Sequence, residues 1–177
     1  MPAVRKLASH LKFIDESGAN LGLTRTFGRA APGERVCEAT PGISGTHYTV
    51  IACLGLKEIS ATWVLEGAMT GEAFDFYVEQ ILCPTLRKGD LIFLDNLNVH
   101  KSARARALIE GCGARLEFLP PYSPDFNPIE QCWSKIKTVL RRLKARTFDE
   151  LVEGLSVAFE SISPKDARAW FAYCGYL

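Results

Sequence analysis

Apolar residues along this 177-residue chain fall into short runs that switch between strand-like and helix-like spacing. Leu11 to Asp15 reads as a strand, apolar apart from Lys12. A stretch rich in Gly and Pro, Gly18 to Gly45, then suits a loop or an irregular hairpin. The β-branched and aromatic run Thr46 to Leu54 predicts a second strand, and Ser60 to Leu65 a third. From Thr70, a good N-cap, to Leu82 the positions Phe74, Val78 and Ile81/Leu82 recur at helical spacing, and Pro84 follows the stop. Leu91 to Leu94 is unbroken apolar sequence between Asp90 and Asp95, the pattern of a central strand covered on both faces.

Lys101 to Glu110 has helical composition and ends at Gly111, and Arg115 to Leu119 is a short strand. Pro120-Pro121-Tyr122-Ser123-Pro124 is a stiff connector that cannot lie inside a helix. A helix is expected from near Asn127 to about Lys144, and shorter ones from Phe148 to Ser161 and from Lys165 to Tyr173. On the long helix Ile129, Trp133, Ile136, Leu140 and Leu143 form the core stripe. Glu130, Ser134, Lys137 and Arg141 follow on a neighbouring stripe about 100° away. Three strands, a helix, a strand, a helix, a strand and closing helices predict one α/β domain over residues 1–177. Its sheet begins antiparallel and turns parallel.

Composition narrows this only slightly. Hydrophobic residues make up 47% and charged residues 23%, the mixture of an ordinary globular domain. No run reaches the roughly 20 apolar residues of a membrane helix, and no apolar stretch backs the basic N-terminus as a secretory signal requires. The expectation is a cytoplasmic protein without membrane contact. The six cysteines have no paired C-x-x-C spacing, which argues against zinc or disulfide roles. Net charge is only +1, but from Gln131 to Phe148 six basic residues occur with no acidic one. Of these, Lys135, Lys137, Arg141 and Arg142, together with Lys101, are candidate contacts for a nucleic-acid backbone; the competing reading is a solvated face.

Three acidic residues carry the candidate chemistry. Asp15 closes the first strand, and its neighbour Glu16 must point to the opposite face. Asp95 follows the buried run, at the strand end where ligands collect in open α/β sheets. Each also reads as a turn or cap residue. Glu130 follows Asn127-Pro128-Ile129, which equally spells a variant capping box with Asn127 as N-cap. Three carboxylates from separate segments suit two hard cations, Mg²⁺ or Mn²⁺, which prefer oxygen and need few protein ligands.

Phe13-Ile14-Asp15-Glu16-Ser17, Leu94-Asp95-Asn96 with His100-Lys101, and Leu119-Pro120-Pro121-Tyr122-Ser123-Pro124-Asp125-Phe126-Asn127-Pro128-Ile129-Glu130 resemble the catalytic motifs of bacterial insertion-sequence transposases of the mariner superfamily. The 34 residues between Asp95 and Glu130 match as well, and the resemblance runs from about Leu11 to Tyr173. It implies a ribonuclease-H-like fold, a mixed five-stranded sheet flanked by helices. It also implies a DDE site with Asp15, Asp95 and Glu130 as catalytic residues and metal ligands. Asn96 and His100 match positions near that site without an assigned step, and Trp133 and Tyr122 read as packing residues.

The implied activity is divalent-metal-dependent cleavage at transposon ends, followed by attack of the freed 3′ hydroxyl on target DNA. A ribonuclease-H-like nuclease without strand transfer, and an inactive DNA-binding remnant, are the other readings. Relatives carry helix-turn-helix modules ahead of the catalytic domain, for which about ten residues leave no room. The expectation is therefore a split-frame product, a fragment or a degenerate copy, with a separate N-terminal DNA-binding polypeptide and a second copy of the chain as partners.

Overall fold

The computed structural model describes residues 7–41, 46–121 and 123–177. A five-stranded sheet in the order β3-β2-β1-β4-β5 forms its centre. The strands are β1 (Leu11–Asn20), β2 (His47–Gly55), β3 (Ile59–Glu66), β4 (Leu91–Leu94) and β5 (Arg115–Phe118). β1, β2 and β3 pair antiparallel, whereas β4 joins β1, and β5 joins β4, in parallel. The expected change from antiparallel to parallel is present.

β1 is longer than its apolar run predicts. It continues to Asn20 because β2 pairs with it as far as Asn20↔His47. Asp15 therefore lies in mid-strand and does not close the strand. The parallel neighbour β4 pairs only with Leu11 to Phe13, with Phe13 opposite Phe93. Carrying that register onward sets Asp15 beside Asp95, just where β4 ends and the sheet opens between the two strands.

Alternation along β1 feeds two cores. Phe13 packs with Trp133, Ile136, Leu140, Leu155 and Phe171. Ile14 packs with Phe74, Tyr77, Ile92, Ile109 and Leu116. The first core is roofed by helices α3 (Ile129–Leu143), α4 (Phe148–Glu160) and α5 (Pro164–Tyr173), the second by α1 (Gly71–Tyr77) and α2 (Ala103–Gly111). Thr70 caps α1 as expected, accepting from Ala73 N–H at 3.2 Å, but α1 gives way to a π-helical turn over Val78–Leu82.

The α3 stripe holds from Ile129 to Leu140, which are buried, but Leu143 is exposed. Lys144 leaves the helix in a left-handed conformation at φ 58°. Ile136 is 2% exposed between α3 and the sheet. Ile136→Ala should therefore cost about 2–5 kcal/mol, read as a lower urea midpoint at unchanged m. Among the described residues, no helix is long and apolar enough to cross a membrane.

Candidate active site

Asp15, Asp95, Asn96, Lys101, Asn127 and Glu130 line one open cavity of about 500 Å³, walled by Leu119, Pro120, Pro121 and Pro124. The prolines make this wall stiff, since each has a fixed φ. Tyr176 fastens it from the other end of the chain: its hydroxyl donates to Phe126 O at 2.9 Å, and its ring lies 5.0 Å from that of Phe13. Tyr122, also in the connector, lies outside the described residues.

Asp15 is buried, with 9% of its surface exposed. Its Oδ2 accepts from the Trp133 indole Nε1–H at 3.2 Å. Burial lifts its carboxyl from 3.8 to about 7; the Glu16 backbone N–H and the indole oppose the rise, while the charges of Glu130 and Asp95 add to it. Asp15 thus stands in the field of the other two carboxylates. Asp95 is the better stabilised of the two aspartates. Burial works against its charge, but the His100 ring and the Leu97 N–H outweigh it and hold the carboxyl below its usual range.

His100 does not line the cavity. It sits behind Asp95, 1% exposed, with Nδ1 2.5 Å from Asp95 Oδ1, Nε2 2.8 Å from Glu16 Oε1 and its ring 4.7 Å from that of Phe74. Burial disfavours its charge, yet the hydrogen bonds and charges of Asp95 and Glu16 raise its pKa to about 9.

The variant capping box that the residues equally allow at Asn127 is not formed. A 3₁₀ turn over Pro124–Phe126 delays the helix, so Pro128 is the N-cap and no side chain caps it. Glu130, in the first turn of α3, is exposed at the cavity, where the helix N-terminus favours an anion. Asn127 is 4% exposed, and its Oδ1 is buried with no hydrogen-bond partner among the described residues. An orphaned acceptor costs about 1–3 kcal/mol.

The basic residues do not all gather here. Lys101 lies on the cavity rim. Lys135 is turned away, with Nζ 2.9 Å from Asp166 Oδ2 and 2.7 Å from Ser161 O, so it ties α3 to the start of α5. Lys137 flanks Ser17 and Gly18 of β1, and Arg141 and Arg142 line a second groove with Arg25 and Phe27.

The lining suits a hard cation in kind: three carboxylates and an unpaired amide oxygen, with no thiol or imidazole. Among the described residues, no group of three or more His, Cys, Asp or Glu side chains is arranged to hold an ion as it stands. Asp15 Oδ2 accepts from Trp133, Asp95 Oδ1 meets His100, and Glu130 is exposed at the cavity.

The family of DDE superfamily endonucleases matches residues 10–152. The chain belongs to this family. Solved structures similar to it include a pre-cleavage Mos1 transpososome, at 11% identity and a TM-score of 0.76. The Mos1 mariner paired end complex with Mn has 13% identity and a TM-score of 0.77. The match covers 98% of this chain and 56% of the other in both cases, so this DDE domain spans little more than half of those chains. The catalytic domain of Mos1 mariner transposase, at 10% identity and a TM-score of 0.70, is covered over 83% of its length and 98% of this chain. The shared fold is the ribonuclease-H-like mixed sheet expected from the sequence. No match to a curated protein sequence was found.

Proposed function

We propose that this chain is the catalytic domain of a DNA transposase, with Asp15, Asp95 and Glu130 as the ligands of two divalent cations, Mg²⁺ or Mn²⁺. The observation that carries the reading is the convergence of these three acids, from β1, the end of β4 and the start of α3, on one cavity. Membership of the DDE endonuclease family supports it. So do the Mos1 complexes, one of them named as containing Mn.

A bound pair of such cations would supply Lewis-acid activation of an attacking oxygen and stabilisation of a leaving one. The chain's own side chains do the rest. Trp133 and His100 each hold one oxygen of an aspartate. Lys101 on the rim, with Lys137, Arg141 and Arg142 along α3, provides cations for the DNA backbone, and the last three have no ionic partner among the described residues. Asn96 sits on the lining with its amide free to contact substrate. The reading also calls for a second copy of the chain and for an end-recognising DNA-binding module, in this polypeptide or a separate one.

A strand-transfer assay with a pre-cleaved 3′ end, beside a nicking assay on uncleaved DNA, both with Mn²⁺, tests this. Joined product is expected. Cleavage without joining would reduce the chain to a nuclease, and neither reaction would leave a DNA-binding remnant.

Trp133 gives a finer check. Trp133→Phe keeps most of the packing but removes the indole N–H from Asp15. Nicking should fall about tenfold, in the range found when a group that orients a metal ligand is lost. The circular dichroism of the variant should be unchanged.

A further inference from the structure

We propose that Glu16 positions Asp95 for cation binding, acting through His100. The proposal rests on the reading of the cavity as a cation site and adds residues that do not line it. Glu16 is the sequence neighbour of Asp15 but faces the opposite side of the sheet, toward Phe74 and α1. From there its carboxylate reaches His100 Nε2 at 2.8 Å, and the far nitrogen of the same ring meets Asp95 Oδ1 at 2.5 Å. β1 therefore serves the site from both faces, directly through Asp15 and indirectly through Glu16.

The hydrogen-bond inventory fixes what the ring does. Carboxylate oxygens only accept, so a ring bonded to one carboxylate at each nitrogen donates at both. The ring is 1% exposed and packed on Phe74, so it cannot turn to water for a replacement partner. Asp95 Oδ1 takes the His100 donor and also the Leu97 N–H at 3.2 Å. Both bonds fall on Oδ1, which leaves Oδ2 without a hydrogen-bond partner among the described residues. Without Glu16, the ring loses the acceptor that holds its second nitrogen. Its hold on Asp95 slackens. Hydrogen-bonded groups behind a metal ligand typically change metal affinity or activity by about 10–100-fold when removed.

The test is Mn²⁺ binding, followed by the electron paramagnetic resonance of free Mn²⁺, on the full chain and on Glu16→Ala, Glu16→Gln and Asp95→Ala. Glu16→Ala should weaken Mn²⁺ binding by about tenfold. Glu16→Gln keeps an oxygen acceptor for the ring and should recover most of that loss, which a merely structural role would not require. If Glu16→Ala proves unfolded, Glu16→Val replaces it, since a β-branched apolar side chain suits this strand beside Phe74.

Folded Ala or Val variants that bind Mn²⁺ as the parent does, while Asp95→Ala does not bind, would overturn the role of Glu16 and leave the cation site standing. A Gln variant as weak as the Ala variant would also overturn it. Asp95→Ala binding Mn²⁺ normally would remove the cation-site reading itself, and this proposal with it.

Discussion

Asp95→Asn is expected to abolish Mn²⁺-dependent nicking, by about 10³-fold or more, in a protein that still folds. The substitution removes the charge but keeps the shape. An amide oxygen can still accept from His100 and from the Leu97 N–H, the two donors that now meet Asp95 Oδ1. Asp95 is also the aspartate whose carboxyl is held below its usual range and so stays charged. A cation at this site contributes several kcal/mol of transition-state stabilisation, and each 1.4 kcal/mol is about tenfold in rate. A loss of roughly 4 kcal/mol accounts for the expected factor. Folding should suffer little, with a Tm shift of about 2–4 °C for each kcal/mol lost. Nicking assays and a thermal melt on one preparation check both halves. Retained cleavage would remove Asp95 from the chemistry.

Asp15→Asn should also abolish nicking, yet stabilise the metal-free protein above neutral pH. Asp15 is buried where its charge is unwelcome, and folding raises its carboxyl from 3.8 to about 7. The folded state therefore keeps a proton that the unfolded chain releases once the pH passes about 4. Stability contributed by this protonated group is complete below that pH and is lost as the pH rises through 7. At pH 8 the metal-free protein should lack up to roughly 4 kcal/mol relative to its value near pH 4, counting this group alone at about 1.4 kcal/mol per unit. An asparagine has no charge to bury, so its variant should escape that loss. Urea midpoints of parent and variant at pH 5 and pH 8 give the readout. The gap between them should open toward pH 8, whereas a constant gap would mean that Asp15 ionises without penalty.

Much of this was legible in the residues. Leu91 to Leu94 announced β4, and the prolines from Pro120 to Pro124 announced a rigid wall. The alternation of Asp15 and Glu16 correctly sent them to opposite faces. What the sequence obscured had local physical causes. Asp15 read as a strand end because the polar residues after it mask a strand that β2 extends to Asn20. Asn127 read as a helix cap because its spacing to Glu130 is right, but a 3₁₀ turn delays the helix start and leaves that side chain in the cavity wall. Lys135 read as one of a basic stripe, and only the fold shows Asp166 beside it.

Trp133 and Glu16 were missed as positioning residues. For Trp133 a signal existed, since a buried indole N–H must find an acceptor and Trp133 lies one helical turn from Glu130. For Glu16 there was none, because its link to Asp95 depends on the 3₁₀ turn over Asn98–His100 bringing His100 back beneath the strand end.

The central claim is that Asp15, Asp95 and Glu130 share divalent cations, and a crystal soaked in Mn²⁺ with anomalous scattering data tests it most directly. The account predicts anomalous peaks between these three carboxylates. Peaks elsewhere on the molecule, or a cavity that stays free of Mn²⁺ while the three carboxylates remain apart, would contradict it.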